Sequence, residues 1–475
     1  MDKLLFFSNL FTAIGAQLIA LMASFAMSFL VPKILSVSEF GYWQLFIFYS
    51  GYVGFFLFGL NGGIYLKEGG KNRTQIDCSV KYQIFFGLFL EIIIFIFGLI
   101  VTSFFSINSD RRDVLLFTAI YLLICNTNDL FGYVFQAINE TRVYSRSILI
   151  DRILFLLSVI CFVVIFKIDN YIFYVALFLT TKSIGMLYTL TNARFLFRGF
   201  SLSYLFNNFK SVINNTIDSL SAGFKLMLST IATMLILGSA RFAIDSAWDI
   251  ETFGQFSLAV SLENFVILFV SQVAMVLFPV LKKMDISSLK SKFVFLRDSI
   301  SIFIPIVYIL YIPLKLLLNW WLPQYADSLL YLSALLPVCV FDSKMNLVGT
   351  TFFKVLRKEN TLLIINLATL LVCIPLVFVS SVYFHSIFLV IGSVVVSIFL
   401  RCEFSDFIVS RTFSCRYRFI SYSEIIFTFI YLFVISTIPF PFSIIFFFII
   451  YTIYLLFNYE AIKLILNQLI SLIRT

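Results

Sequence analysis

Long apolar runs separated by short polar connections recur along the whole chain. Each run has about 20 residues, the length that an α-helix needs to cross a hydrocarbon core of about 30 Å. Two divisions depend on short breaks, Asp169–Asn170 and Pro439–Pro441, and the first run lacks the small-residue cleavage site of a removable signal. The pattern predicts about fourteen membrane-spanning helices, at approximately 8–31, 41–66, 80–105, 114–138, 148–167, 171–191, 223–244, 252–280, 297–318, 326–353, 361–380, 384–404, 421–438 and 441–458.

Composition agrees with this pattern and excludes a water-soluble protein. Hydrophobic residues make up 61% of the 475 residues and charged residues 12%, with a mean hydropathy of +1.01. Soluble globular chains carry about 25% charged residues. No segment of the sequence is polar for long enough to form a separate soluble domain. The sequence therefore predicts an all-α polytopic membrane protein.

The distribution of positive charge predicts the orientation of the spans. With the N-terminus inside, 25 of the 34 lysines and arginines fall at inside connections or inside span ends, five fall outside and four lie within spans. Cationic loops stay in the cytoplasm. The alternation supports the span count and predicts that both termini are cytoplasmic. These loops account for the net charge of +9, so no nucleic-acid partner is predicted.

Cysteine and histidine give no sign of a metal site or a redox site. The seven cysteines form no CxxC pair and lie mostly inside apolar runs, which is typical of packing residues. The one histidine, His385, stands beside a short connection with no cluster of Cys or carboxylate residues near it in the sequence. No metal, disulfide or cofactor is predicted.

Two inside segments have the pattern of helices that lie on a membrane. Residues 200–222 mix apolar and polar side chains, and packing against the protein surface explains them equally well. The tail has one polar stripe on an otherwise apolar helix, as expected for an interfacial helix. The stripe consists of Glu460, Lys463, Asn467, Ser471 and Arg474.

A weak internal repeat relates the two halves of the sequence. Phe40–Gly41 and Phe253–Gly254 each stand near the start of a span that follows a short outside connection and ends in a basic inside loop. The two glycines are 213 residues apart, which corresponds to six spans. An even number of spans preserves orientation, so the halves are predicted to be parallel repeats.

Three segments resemble a known family. LVPKILSVSEFGYWQLF is similar to the junction of spans one and two in polysaccharide and O-antigen flippases, and TFGQFSLAVSL followed by LFPVLKK resembles their span eight. These flippases belong to the multidrug/oligosaccharidyl-lipid/polysaccharide exporter superfamily. The resemblance implies two six-helix lobes around a central cavity, at residues 1–222 and 223–420. Residues 421–475 would add two C-terminal helices and the amphipathic tail.

The resemblance also implies a function. The expected substrate is an undecaprenyl-diphosphate-linked oligosaccharide, an O-antigen or capsular repeat unit. The chain would move it by alternating access from the cytoplasmic to the periplasmic leaflet of a bacterial inner membrane. Membrane lipids and polysaccharide-assembly proteins are the expected partners, and no enzyme activity is expected. A multidrug exporter of the same superfamily is the nearer alternative. A membrane glycosyltransferase or polymerase is the more distant one, since the outside connections are short and contain no DxD-like pair.

Cations at membrane depth are the candidate substrate-binding residues, because ionisable groups there are costly and usually face a protein interior or a wet cavity. Lys225, Ser229 and Thr233 follow each other at four-residue spacing on one face of span seven. Snorkelling of Lys225 to the inside surface explains that residue equally well. Lys344 in span ten and Lys182 in span six complete the set that is predicted to bind the diphosphate.

Acids at membrane depth are the candidate sites for a coupling ion, H⁺ or Na⁺. Asp129 lies on a polar face of span four, and Glu91 lies in the middle of span three. Glu263 in span eight and Asp342 in span ten are their counterparts in the second half. Desolvation favours the protonated form of such groups, which suits an ion-linked transporter. The alternative is that they are protonated packing residues that hydrogen-bond between helices.

Overall fold

The structure is a computed structural model. It describes residues 22, 27–104, 108–165, 168–197, 201, 204, 207–282, 284–415, 419–439 and 442–465. Within these residues the regular secondary structure is entirely helical, which confirms the predicted all-α class. The chain divides into two units, Met1–Ile231 and Ala232–Thr475.

The described part of the first unit contains six helices of nine residues or more and the start of a seventh, since most of the apolar runs of its sequence each form one helix. A short 3₁₀ segment, Val53–Leu57, lies between the first two. The helices are α1 (Val37–Ser50), α2 (Leu60–Glu68), α3 (Ser79–Phe104), α4 (Ser109–Ala137), α5 (Thr141–Ile165), α6 (Tyr171–Asn192) and the beginning of α7 (Phe209–Ala247). The unit also contains the short helix Arg194–Phe197 and the helical residues 27–34.

The described part of the second unit contains the end of α7, nine further helices between Ile250 and Phe457, and the short helical segment Tyr459–Ile465. A 3₁₀ turn separates α9 from α10, and a π-helical segment, Met345–Thr350, joins α11 to α12. The helices are α8 (Ile250–Leu281), α9 (Ile286–Phe303), α10 (Val307–Trp321), α11 (Ala326–Lys344), α12 (Thr351–Val355), α13 (Glu359–Phe378), α14 (Ile387–Thr412), α15 (Phe419–Thr437) and α16 (Phe442–Phe457).

Predicted spans two to fourteen all fall on helical segments wherever the structure describes them. Nine helices in the described ranges are long and apolar enough to cross a membrane, or up to eleven if two bent pairs each count as one span. The described part of α15, Ser423–Thr437, is a shorter apolar helix. Span one lies mostly outside the described residues. The count of fourteen therefore stays a prediction.

Span two differs from the prediction because it is broken. Two helical pieces, Val37–Leu57 and Leu60–Glu68, meet at an angle of 54°. Phe58 and Gly59 between them both have positive φ, at 50° and 84°. A left-handed backbone ends a helix, and glycine adopts it without a steric penalty. The hydrophobic run continues through this break, so hydropathy gives no sign of it.

The predicted interfacial segment 200–222 is not a separate helix where it is described. From Phe209 onward it is continuous with the span that follows, in the 39-residue helix α7. No proline interrupts this stretch, and glycine inside a helix is tolerated at a cost of about 1 kcal/mol. In the tail, the segment Tyr459–Ile465 bends by 69° from the end of α16. Asn467, Ser471 and Arg474 lie outside the described residues.

Charged groups at helix ends fix the connections. The carboxylate of Asp285 caps α9: it accepts from the backbone N–H of Ser288 and from the hydroxyls of Ser287 and Ser288. These hydrogen bonds hold the pKa of Asp285 well below its usual range. Arg73, before α3, donates two hydrogen bonds to Glu140, before α5. This ion pair raises the pKa of Arg73.

Large apolar side chains cover the outer surface of these helices. In α3 the exposed residues include Phe89, Ile93 and Phe97. Exposed apolar surface on this scale is a liability in water and is the normal outer face of a helix in lipid. The chain is accordingly a multi-pass membrane protein.

Candidate functional site

The first unit holds a polar seam between α4, α5 and α6. The Asp129 carboxylate of α4 accepts a hydrogen bond from the Tyr144 hydroxyl of α5, at 2.8 Å. The side-chain amide oxygen of the preceding residue, Asn128, accepts hydrogen bonds from the hydroxyls of Ser147 (3.1 Å) and Thr189 (2.7 Å). Hydrogen bonds between α4, α5 and α6 therefore satisfy the side chains of Asp129 and Asn128 at membrane depth.

Lys182 lies in this seam and is neutralised there. Its ammonium is 2.5 Å from the Asp151 carboxylate of α5, and the two side chains are 15% and 3% exposed. Asp129 is close enough to interact electrostatically with Lys182. Lys182, a predicted substrate-binding residue, thus interacts with two acids, Asp151 and Asp129. Asp151 and Asn128 were not among the predicted site residues. The signal for Asp151 is its charge inside the apolar run ILIDRILFLL.

Glu91 of α3 has a different environment. It is completely buried, and neither of its carboxyl oxygens has a hydrogen-bond partner within the described ranges. The nearest acidic group with which it interacts is Asp129. The two acids that were predicted for the first half therefore lie in the same neighbourhood, which the sequence alone could not establish.

Lys225, Ser229 and Thr233 follow one stripe of α7, as predicted. Lys225 is exposed, and no ion pair joins it to a residue of the described chain. Ser229 is half-buried and Thr233 is exposed. The Asn366 side-chain amide of α13 donates to the Thr233 hydroxyl at 3.0 Å. The stripe therefore runs from an accessible cation to hydroxyl groups further along the helix.

Lys344 is the centre of a buried ionic cluster in the second unit. Its ammonium lies 2.9 Å from the Glu424 carboxylate of α15 and 3.6 Å from that of Glu403 in α14. Lys344 is 1% exposed. Sequence reasoning found Lys344 but missed both partners, since neither lies near it in the chain.

Asp342 and Glu263, the two acids predicted at membrane depth in the second half, both lie in this unit. Asp342 pairs with Arg401 of α14 and accepts from the Asn346 amide at 3.3 Å. Arg401, near the end of predicted span twelve at 384–404, is buried. Glu263 of α8 is completely buried, interacts electrostatically with Asp342, and has both carboxyl oxygens without a hydrogen-bond partner among the described residues.

Together these contacts give each unit ionisable groups at membrane depth. Asp129, Glu91 and the Lys182 pair lie in the first unit, and Glu263, Asp342 and the Lys344 cluster lie in the second. Buried charges in membrane proteins are rare, and in transporters they mark substrate or ion pathways. Such an arrangement of buried ionisable groups is typical of membrane transporters.

Comparison with known proteins agrees with this class. The model of a family described as polysaccharide biosynthesis protein matches residues 6–285, which is more than half of the chain. The chain belongs to this polysaccharide biosynthesis protein family, which confirms the resemblance inferred from its sequence. Comparison with curated protein sequences gives no significant match.

Solved structures establish the fold at low sequence identity. The chain is similar to the lipid II flippase MurJ in an inward closed conformation, with a TM-score of 0.64 and 12% identity over 96% of this chain and 100% of that one. It is also similar to a multidrug resistance MATE family transporter of the MOP superfamily, facing inward, with a TM-score of 0.57 and 13% identity over 84% and 94% of the two chains. A MOP superfamily transporter from Pyrococcus furiosus gives a TM-score of 0.52 and 13% identity, over 86% and 94%. The chain therefore has the fold of MOP superfamily transporters.

Proposed function

We propose that the chain is a flippase that moves an undecaprenyl-diphosphate-linked oligosaccharide from the cytoplasmic to the periplasmic leaflet. The O-antigen or capsular repeat unit is the substrate class, and a bacterial cytoplasmic membrane is the location. Membership of the polysaccharide biosynthesis family is the observation that carries the proposal. The likeness to a solved lipid II flippase over almost the whole chain supports the fold that such transport needs.

The diphosphate needs a positively charged partner on its path. Moving an unpaired charge through a low-dielectric region is prohibitive. We assign the first contact to Lys225, because its ammonium is accessible and a lysine binds phosphate as a compact point charge. Ser229 and Thr233 continue the same stripe and would donate hydroxyl hydrogen bonds to the head group.

Lys182 and Lys344 take a later part in this proposal. Each already has a carboxylate within 3 Å, from Asp151 and Glu424 respectively. A diphosphate would therefore have to displace a carboxylate before it could bind either ammonium. Protonation of that carboxylate would make the exchange easier, which links substrate movement to a coupling ion.

Coupling to H⁺ or Na⁺ is assigned to four buried or half-buried acids. Glu91 and Asp129 serve the first unit, and Glu263 and Asp342 the second. The carboxyl oxygens of Glu91 and Glu263 have no hydrogen-bond partner among the described residues. This supports the role, since a buried carboxyl group without a partner favours the protonated form. Polysaccharide-assembly proteins would receive the translocated unit outside.

Substitution at Lys225 tests the substrate site. In a bacterial strain that lacks its own flippase, Lys225→Ala is expected to reduce surface polysaccharide at least tenfold at equal protein level. Lys225→Arg keeps the positive charge and should retain part of the signal. Lys315→Ala is the matched control, because Lys315 lies near the far end of α10, above the ring of Tyr311. Full activity of the Lys225→Ala variant would contradict the assignment of the site.

A multidrug exporter is the second candidate, and the likeness to MATE transporters favours it. The same strain distinguishes the two functions. Restored surface polysaccharide without a change in resistance to cationic drugs supports the flippase. Raised drug resistance without polysaccharide would replace the proposal with the exporter.

A further inference from the structure

Three carboxyl groups surround one ammonium ion in the second unit. Glu424 and Glu403 contact Lys344 at 2.9 and 3.6 Å, and Asp406, one helical turn after Glu403, is within electrostatic range. We call these four residues the Lys344 cluster. With every group ionised, the cluster would carry three negative charges against one positive charge.

The burial of the cluster makes that fully ionised state unfavourable. Glu424 is 0% exposed and Asp406 is 4% exposed. One oxygen of each, Oε1 of Glu424 and Oδ2 of Asp406, has no hydrogen-bond partner in the part of the chain that the structure describes. An ionised carboxylate with an unsatisfied buried oxygen is costly, so the cluster has room for a proton on these oxygens.

The two arginines that the described residues place near the cluster do not supply the missing positive charge. Arg297 of α9 faces Asp406, but its guanidinium is bonded to its own neighbour Asp298 at 3.0 Å. Arg401 of α14 is paired with Asp342. Each arginine is therefore balanced by another acid, and the excess negative charge remains within the cluster.

The other titratable groups that the described residues place near the cluster carry no positive charge. Tyr308 of α10 and Tyr454 of α16 lie within electrostatic range of Glu424. Their hydroxyls are hydrogen-bonded elsewhere, to Thr428 at 3.0 Å and to the Ser301 carbonyl at 2.7 Å. Cys402, beside Lys344, is a buried free thiol. None of these groups offsets a carboxylate.

We propose that the Lys344 cluster is a proton-binding site, in which Glu424, Glu403 and Asp406 hold protons beside a fixed ammonium ion. Release converts a carboxylic acid to a carboxylate and a free proton, with no other bond changed. Glu403 is the group from which the proton leaves the cluster, because its side chain is 16% exposed whereas that of Glu424 is fully buried. Its role in transport rests on the proposed function, but proton binding does not.

A proton fits this site better than a metal cation. The Lys344 ammonium already contacts both Glu424 and Glu403, and it would repel a second positive ion at that position. No group of His, Cys, Asp or Glu with the geometry to hold a metal ion occurs among the described residues. A proton needs no coordination shell and can bind to a single bare oxygen.

The site gives α15 a specific part in the protein. Glu424 belongs to the two C-terminal helices that the sequence places outside the six-helix lobes. Tyr431 of the same helix donates to the Ser333 carbonyl at 3.0 Å and stacks on Tyr308. Protonation of Glu424 would weaken its pairing with Lys344 and so change how firmly α15 is held.

Infrared spectroscopy of the purified full-length protein tests proton binding directly. The C=O stretching band of protonated carboxyl groups is recorded in lipid vesicles as the pH is raised. Glu424→Gln, Glu403→Gln and Asp406→Asn should each remove part of the band that titrates in the wild type. Glu359→Gln is the control, because Glu359 is an exposed carboxylate at the start of α13, and its spectrum should match the wild type.

Several outcomes would overturn the inference. It falls if all three cluster variants keep the full band, and it also falls if added NaCl at fixed pH changes the band as much as pH does. Glu403→Gln keeps the test decisive if Glu424→Gln does not fold, because Glu403 is partly exposed.

The transport role is measured separately, by the dependence of surface polysaccharide on external pH. Glu424→Gln should flatten that dependence. A lost infrared band with an unchanged pH profile would overturn the role in transport. A chain that exports no polysaccharide would overturn the proposed function and leave the infrared result standing.

Discussion

At the scale of single residues, the buried acids fall into two groups that differ in their partners. Asp151 and Asp342 each have a cation beside them, Lys182 or Arg401. Glu91 and Glu263 have bare oxygens in the described structure. Removal of one partner from a buried ion pair costs about 3–5 kcal/mol, because it leaves an unpaired charge. Loss of Lys182 or Arg401 is therefore expected to destabilise the fold, whereas the unpaired oxygens of Glu91 and Glu263 leave room for a proton.

Neutral substitutes for Glu91 and Asp129 test this division. Glu91→Gln and Asp129→Asn keep the shape of the side chain but remove its ionisable group. If either acid couples transport to H⁺, its variant should lose most of the surface polysaccharide or show a flat response to external pH. Surface polysaccharide at several pH values is the measurement.

The control for this pair is Glu251→Gln, since Glu251 is exposed at the start of α8. It should behave like the wild type. Normal transport with the normal pH response in both Glu91→Gln and Asp129→Asn would show that these acids only pack, and the coupling ion would have to bind in the second unit.

At the scale of elements, a close crossing holds α2 against α7 within the first unit. A Cβ added at Gly63 would collide with the backbone of Ser219, and one added at Gly223 would collide with the backbone of Gly59. Lys67 of α2 adds an ion pair to Asp218 of α7 at 3.6 Å. The helix break at Gly59 thus lies at a crossing where the backbones of α2 and α7 are in direct contact.

Alanine at Gly63 should destabilise the protein. The new methyl group has no space, and overpacking costs about 1–3 kcal/mol. The midpoint of thermal unfolding in detergent should fall by several degrees. Gly392→Ala is the matched control in α14, where an added Cβ meets nothing within 4 Å. It should leave the midpoint unchanged or raise it, since alanine favours helix by about 1 kcal/mol. Equal midpoints for the two variants would exclude a tight crossing.

The sequence predicts the helices well and their partners poorly, for a physical reason. Apolar length determines where a helix can cross lipid, and span three at 80–105 corresponds to α3 at Ser79–Phe104. Pairings such as Lys344 with Glu424 join residues 80 positions apart, and hydropathy along one helix carries no information about its neighbours. The same limit explains why Lys344 was found and its acids were missed.

At the scale of the whole molecule, the two Phe-Gly pairs have similar surroundings in their own units. Phe40 and Phe253 are both fully buried, each near the start of a helix. The side chain of Ser36 accepts from the Glu39 backbone N–H before α1, and that of Asp249 accepts from Thr252 before α8. The hydrogen bonds from Thr252 lower the pKa of Asp249, so the carboxylate of Asp249 in the connection before α8 remains ionised. Two helices that begin in the same way support the predicted parallel repeat.

Topology is the prediction that tests the whole molecule. Positive charge is concentrated at connections such as Lys67, Lys71 and Arg73, and cationic loops remain in the cytoplasm. Fourteen spans with the N-terminus inside place Gln75 inside, His385 outside and the C-terminus inside. Fusions at these points to green fluorescent protein, which fluoresces in the cytoplasm, and to alkaline phosphatase, which is active in the periplasm, measure each side. The two reporters must give opposite signals at every site, which serves as the internal control. An outside C-terminus would require an odd number of spans and would reject the count, while an inside position of His385 would place the error before residue 385.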